Sequence, residues 1–128
     1  MNLTIESTQD ISPSIRRIFA RTNNARVSVD VYSDWVDAAE GNELSLQFSG
    51  TQPLKTDSMS TVYMHGTVAS KQDDSALVSN GALLLNITGV QIPELIYGEN
   101  IFTTLSWSEK THTTRRKRSL GSGGDRAS

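Results

Sequence analysis

The sequence predicts an all-β fold, specifically an antiparallel immunoglobulin-like sandwich that lacks one strand. Apolar and polar residues alternate in several short segments, which is the pattern of half-buried strands. No segment has the sustained apolar repeat of a long helix. The apolar segment 101–108 is the last that can join a sheet, so we expect an open seam beside it. The length of 128 residues suits one domain.

The first strands are short and separated by polar breaks. Leu3 and Ile5 alternate with polar neighbours and indicate a brief strand, which ends before Pro13. Residues 15–21 fit a polar edge strand or a single helical turn, and the strand is favoured. Residues 26–33 carry a valine at every second position, which predicts the clearest half-buried strand of the chain.

Later segments continue the sheet. Residues 44–48 alternate again, residues 62–64 indicate a third alternating strand, and Gly66 is the expected position of a bulge. The aliphatic run 83–87 is preceded by an Asn-Gly dipeptide at residues 80–81, which is a strong hairpin signal. Six or seven short strands of this kind are typical of a β-sandwich.

Composition excludes several classes of protein. There is no cysteine, so disulfides and thiolate metal sites are excluded. No apolar run approaches the roughly 18 residues that span a bilayer, and the first ten residues do not resemble a signal peptide, so membrane insertion is not expected. Residues 1–110 carry seven basic and thirteen acidic side chains, which argues against a nucleic-acid-binding domain.

No catalytic or metal-binding motif is present, so we expect no enzyme activity, no cofactor and no metal. His65 and His112 lack partners at metal-ligand spacing, and the four acidic residues within 34–43 lack the spacing and glycine of a calcium loop. The chain contains no phosphate-binding glycine loop and no nucleophile elbow.

Residues 111–128 are expected to form a disordered basic Gly/Ser tail. The Arg-Arg-Lys-Arg run at 115–118 also fits a processing site, a nuclear signal or a nucleic-acid patch. The two tryptophans differ: Trp107 ends an apolar strand and is expected in the core or at the seam. Trp35 opens an acidic loop, where a core plug is favoured over an exposed contact.

The order of these segments resembles a known family. A Thr-Asn turn at 21–24 leads into the valine-rich strand, and the aliphatic strand 44–50 ends in an aromatic residue and a glycine, with Leu54 just after. Together with the terminal strand, this order is similar to the pilin subunits of alpha-class chaperone–usher fimbriae, the colonisation-factor type. The resemblance covers roughly residues 15–110.

The resemblance implies an immunoglobulin-like domain at 15–110 without its seventh strand, and a short donor-arm remnant at 1–14. A periplasmic chaperone fills the resulting groove first. At the outer-membrane usher, an extension of the neighbouring pilin subunit then replaces the chaperone. Such subunits are found in extracellular fimbriae on the cell surface, where they also meet a host receptor. The residues carried over are Ile101, Thr103, Leu105 and Trp107 for the groove wall, and Leu3 and Ile5 for the donor arm.

The function expected on this basis is that of a structural subunit of an adhesive fimbria, assembled by donor-strand exchange. The alternative is a free-standing β-sandwich binding or decoration module, of a phage, virus or surface protein, whose sheet is complete. A third hypothesis, nucleic-acid binding through the basic tail, predicts an affinity that falls steeply with salt.

Overall fold

A computed structural model describes residues 1–54 and 60–108 and confirms the all-β, antiparallel prediction. Within these ranges there is no helix, and therefore none that could cross a membrane. The predicted tail at 111–128 lies outside the described residues. The strands are β1 (Asn2–Asp10), β2 (Ile15–Arg21), β3 (Arg26–Tyr32), β4 (Glu43–Ser49), β5 (Thr61–Gln72), β6 (Ser75–Asn80), β7 (Leu83–Thr88) and β8 (Asn100–Ser108).

The strands form a closed barrel, in the order β1-β2-β3-β7-β6-β5-β8-β4, with β4 pairing back onto β1. All pairs are antiparallel. The prediction of a missing strand beside the last one is wrong for the described residues, because β8 has a neighbour on each side. It pairs with β5 over Asn100–Ser106 and with β4 over Phe102–Ser108. The physical reason is that β5, which was indicated only at residues 62–64, spans twelve residues and occupies the place where the seam was predicted.

Closure depends on two long strands that each change partner along their length. The first part of β5 pairs with β8 and its last part pairs with β6, and the register shifts between Val68 and Ser70. Likewise β1 pairs with β4 near its beginning and with β2 from Thr4 onward, with a register shift between Ile5 and Ser7. Bulges at such positions bend a strand and let it turn a corner between two parts of a sheet.

Two glycines have clear geometric roles. The bulge predicted at Gly66 lies instead between Val68 and Ser70. Glycine is required at 66 for a different reason, since a Cβ there would lie 2.1 Å from the carbonyl oxygen of Ser79. The predicted Asn-Gly turn does join β6 to β7, and Gly81 has a φ of 71°, which glycine adopts without strain.

The barrel interior holds one hydrophobic core, built from alternate residues of the strands. Each fully buried leucine, isoleucine or valine stabilises the fold by roughly 1.5–3 kcal/mol relative to an exposed side chain. The valine-rich strand behaves as predicted. The largest fully buried side chains are Ile5, Ile18, Leu44, Leu46, Leu85, Ile87, Leu95, Leu105, Val29, Val31, Val36 and Val68.

Candidate interaction surfaces

The four residues predicted to line a groove on β8 all face the barrel interior. Their side chains are covered by the same chain, and both edges of β8 are paired. Among the described residues, therefore, β8 borders no open groove. The buried Thr103 hydroxyl has no hydrogen-bond partner in the described part of the chain. The exposed fractions are 2% for Ile101, 0% for Thr103, 0% for Leu105 and 9% for Trp107.

Trp107, expected in the core or at the seam, is a core residue with one polar contact. Its indole Nε1–H donates a hydrogen bond of 3.0 Å to Oδ1 of Asp37. Asp37 belongs to the loop between β3 and β4, where Val36 and Ala38 are buried on either side of it. The contact fixes this loop against the end of β8 and satisfies the only polar group of the indole.

The two predicted donor-arm residues insert into the core of their own chain. Leu3 and Ile5 are buried, and Leu3 lies opposite Leu44 of β4. The seam between β1 and β4 contains three residue pairs. Its two ends are extended by hydrogen bonds, from the amino terminus of Met1 to the carbonyl oxygen of Leu46 at 2.8 Å, and from the Ile5 N–H to a loop carbonyl at 2.9 Å.

Ile11, Tyr32 and Trp35 are exposed near the turn between β1 and β2, and the half-buried Ile15 lies among them. We call Ile11, Ile15, Tyr32 and Trp35 the aromatic patch. Ile15 lies opposite Tyr32 across β2 and β3, and the Ile11 N–H donates a 2.9 Å hydrogen bond to the Ile15 carbonyl. The rings of Tyr32 and Trp35 meet edge to face, with centroids 4.6 Å apart. Exposed apolar groups that lie together are more typical of interaction sites than single ones.

The prediction that Trp35 is a core plug is wrong, because 44% of its surface is exposed. The buried places in this loop are taken by Val36 and Ala38, two residues apart. Trp35 ends a turn, in which its backbone N–H donates a 2.9 Å hydrogen bond to the carbonyl oxygen of Tyr32, and its ring packs against the exposed ring of Tyr32. In the sequence, the apolar residues at 36 and 38 were the available sign that Trp35 lies on the other, exposed side of the loop.

An ion pair on the outer face of β2 and β3, with a buried carboxylate and a partly exposed guanidinium, was not predicted. Asp30, only 4% exposed, accepts hydrogen bonds from Nε of Arg17 at 2.6 Å and from its Nη2 at 3.1 Å. It also accepts the backbone N–H of Leu84 at 3.3 Å, just beyond the point where the β3–β7 ladder ends. The hydrogen bond to Asp30 raises the pKa of Arg17 above its ordinary value, although partial burial acts in the opposite direction.

The other side chains considered for catalysis or metal binding do not form a cluster in the described part of the chain. Within residues 1–54 and 60–108, no three His, Asp or Glu side chains are arranged to hold a metal ion. His65 stacks on Phe102 across β5 and β8, with ring centroids 4.1 Å apart and planes 5° from parallel. The tail histidine, His112, and the basic run at 115–118 lie outside the described residues.

Comparison with known proteins does not assign the chain to a family. No protein-family model matches it, and no curated protein matches its sequence.

Proposed function

We propose that this chain is a self-contained, non-enzymatic β-domain that works as a binding or decoration module of a larger assembly. The observation that carries the proposal is closure of the barrel within one chain. The last strand, which would border the gap of an incomplete fold, is paired on both edges. Such a domain folds without a strand from another polypeptide.

Closure has a direct physical consequence for assembly. An unpaired strand edge presents a row of N–H and C=O groups that bind any available strand, so an incomplete sheet needs an escort. In this barrel the core is complete around β8 and β4, and Leu44, Leu46 and Leu105 are at most 1% exposed. Recognition of a partner is then a property of the outer surface, and the aromatic patch supplies apolar contact area for it.

The test is the behaviour of the full chain without any partner. We expect a single cooperative thermal transition and no increase in Tm when a peptide of alternating apolar residues is added in excess. A peptide of the same composition in scrambled order is the control. A peptide-dependent rise in Tm, absent with the scrambled control, would show that the fold is incomplete and would overturn this proposal.

A second proposal, the fimbrial subunit assembled by strand exchange, is favoured by the nature of β1. This strand joins β4 through only three residue pairs, and it carries the apolar residues Leu3 and Ile5 that fill the core. In this proposal the fold is an immunoglobulin-like sandwich, and β1 occupies the missing-strand position of its own chain until the corresponding strand of a neighbouring subunit replaces it. The partners are then pilin subunits, a periplasmic chaperone, an outer-membrane usher and a host receptor, in a cell-surface fimbria.

A disulfide across the seam distinguishes the two proposals. Thr4 lies opposite Glu43, so the double variant Thr4→Cys, Glu43→Cys links β1 to β4 of the same chain. If subunits exchange β1, the oxidised variant forms no chains under conditions in which the reduced variant forms them. If oxidised and reduced forms show the same size distribution, strand exchange through β1 does not occur.

A further inference from the structure

The second half of β1 is a free strand edge, although the barrel is closed. Residues 6–10 are all exposed, and residues 7–10 pair with β2 on one side only. Pairing with β4 ends at Thr4, and the last bond on that side joins Ile5 to the loop before β4. The described residues therefore provide a strand partner on one side of Ser7–Asp10 and none on the other.

The bulge in β1 decides which backbone groups point to this free edge. Before the bulge, the N–H of Ile5 points toward the β4 side, where it donates to Asn42 at 2.9 Å. One extra residue at the bulge reverses the direction, so that the Ile11 N–H points to β2 and donates to Ile15. Because hydrogen-bonding direction alternates along a strand, Ser7 and Gln9 also face β2. The N–H and C=O groups of Thr8 and Asp10 therefore point away from β2, to the free edge of β1.

We propose that a second copy of this chain docks antiparallel on this edge, joining the two barrels into one continuous sheet. Groups that point to the free edge must oppose one another, so the dimer can be centred on Ser7, Thr8, Gln9 or Asp10. The register centred on Ser7 places Gln9 of one copy opposite Ile5 of the other, whose backbone is already bonded to the loop before β4, so three registers remain. The register centred on Thr8 places Glu6 opposite Asp10, and the one centred on Asp10 places Asp10 opposite itself. Asp10 and Glu6 each keep an ion pair with an arginine of their own chain, at 3.4 and 2.9 Å, but both registers still bring carboxylates together, which is less favourable than a register that keeps them apart. The third register places Thr8 of each copy opposite Asp10 of the other.

The third register is complementary at its central pairs. The Thr8 hydroxyl can donate a hydrogen bond to the Asp10 carboxylate of the other copy, and this occurs twice by symmetry. Gln9 lies on the two-fold axis, opposite Gln9 of the other copy, where the two amides can exchange hydrogen bonds. Ser7 lies opposite Ile11, whose side chain is 44% exposed in the single chain. An isologous contact of this kind closes as a dimer and does not propagate.

The position of Gln9 on the axis gives a charge-exchange test. In a Gln9→Glu or a Gln9→Lys dimer, two like charges face each other at a non-hydrogen-bonded pair, where side chains are closest. An equimolar mixture of the two variants places opposite charges there. We expect sedimentation of the full chain to shift with concentration from 14.0 kDa toward twice that mass. Dimer affinity should fall at least about tenfold in each variant alone and recover in the mixture.

Gln91→Glu and Gln91→Lys are the matched controls, because Gln91 is exposed in the loop before β8. They should leave the dimer unchanged, and Tm at low concentration checks that each Gln9 variant is folded. A monomer at every concentration would overturn the proposal, as would equal dimer affinity in all variants or a mixture that does not recover. When the dimer is diluted, we also expect monomer and dimer to re-equilibrate rapidly. A dimer that had exchanged whole β1 strands would separate only on the timescale of unfolding.

Discussion

Ile5→Ala is the variant that tests closure of the barrel most directly. Ile5 lies in β1 at the junction of β2 and β4 and is 1% exposed. If β1 belongs to the folded single chain, the substitution opens a cavity in the core. If β1 is an arm that leaves the domain in solution, the same substitution removes a solvated side chain and costs almost nothing.

The expected magnitude follows from the atoms removed. Isoleucine loses three carbon atoms on replacement by alanine, which corresponds to ~2.4 kcal/mol of transfer free energy at about 0.8 kcal/mol each. The cavity that remains adds to this, and measured costs of such changes in cores are roughly 2–5 kcal/mol. For a domain of this size, ~3 kcal/mol corresponds to a fall in Tm of about 12 °C.

Ile11→Ala is the matched control, because it makes the same chemical change just after the end of the same strand, where the side chain is 44% exposed. Urea unfolding followed by circular dichroism gives both free energies, and thermal melts give both Tm values. We expect Ile5→Ala to cost at least about 1.5 kcal/mol more than Ile11→Ala, given the burial difference. Equal costs within error would refute the inclusion of β1 in the barrel.

Three further predictions concern the ion pair, the close strand contact and the tryptophans. Arg17→Ala should lower the free energy of unfolding by about 3 kcal/mol, because it leaves the buried carboxylate of Asp30 without its counter-ion. Asp30→Ala should cost less, since the Arg17 side chain is 32% exposed and can be solvated. Urea titrations in which Asp30→Ala loses more free energy of unfolding than Arg17→Ala would contradict this explanation. Gly66→Ala should cost about 1–3 kcal/mol through overpacking, because its Cβ would meet a backbone carbonyl of β6; an unchanged Tm would mean that β5 and β6 lie further apart. Acrylamide should quench the fluorescence of Trp107→Phe, which retains the exposed Trp35, more strongly than that of Trp35→Phe, and equal quenching would contradict the burial difference.

The positions of most strands could be predicted from local patterns. The valine-rich strand β3, the alternating strand β4 and the terminal strand β8 were recognised because the residues at every second position of each face the core, a property of the segment itself. The extra length of β1 and β5 was not recognised. The second half of β1, Glu6–Asp10, is polar on both faces, and in such a segment alternation gives no signal.

The interaction surfaces were less accessible to prediction. The pair of Arg17 and Asp30 joins residues from neighbouring strands, and only the register of β2 against β3 places them opposite each other. The aromatic patch depends on the same register, since Ile15 and Tyr32 are seventeen positions apart in the chain. These contacts depend on how two strands pair, so the spacing of residues within one segment could not predict them.

The sequence by itself determined an all-β chain without cysteine, the faces of its clearest strands, and the alternation that groups Leu3 with Ile5 and Ile101 with Thr103, Leu105 and Trp107. Only the tertiary structure decided that these six side chains fill one shared core. The reason lies in the backbone: every residue offers nearly the same N–H and C=O groups, so a strand can be recognised without its neighbours being known. Which edges meet depends on strand length, bulges and twist around the whole barrel, and these closed β1 onto β4.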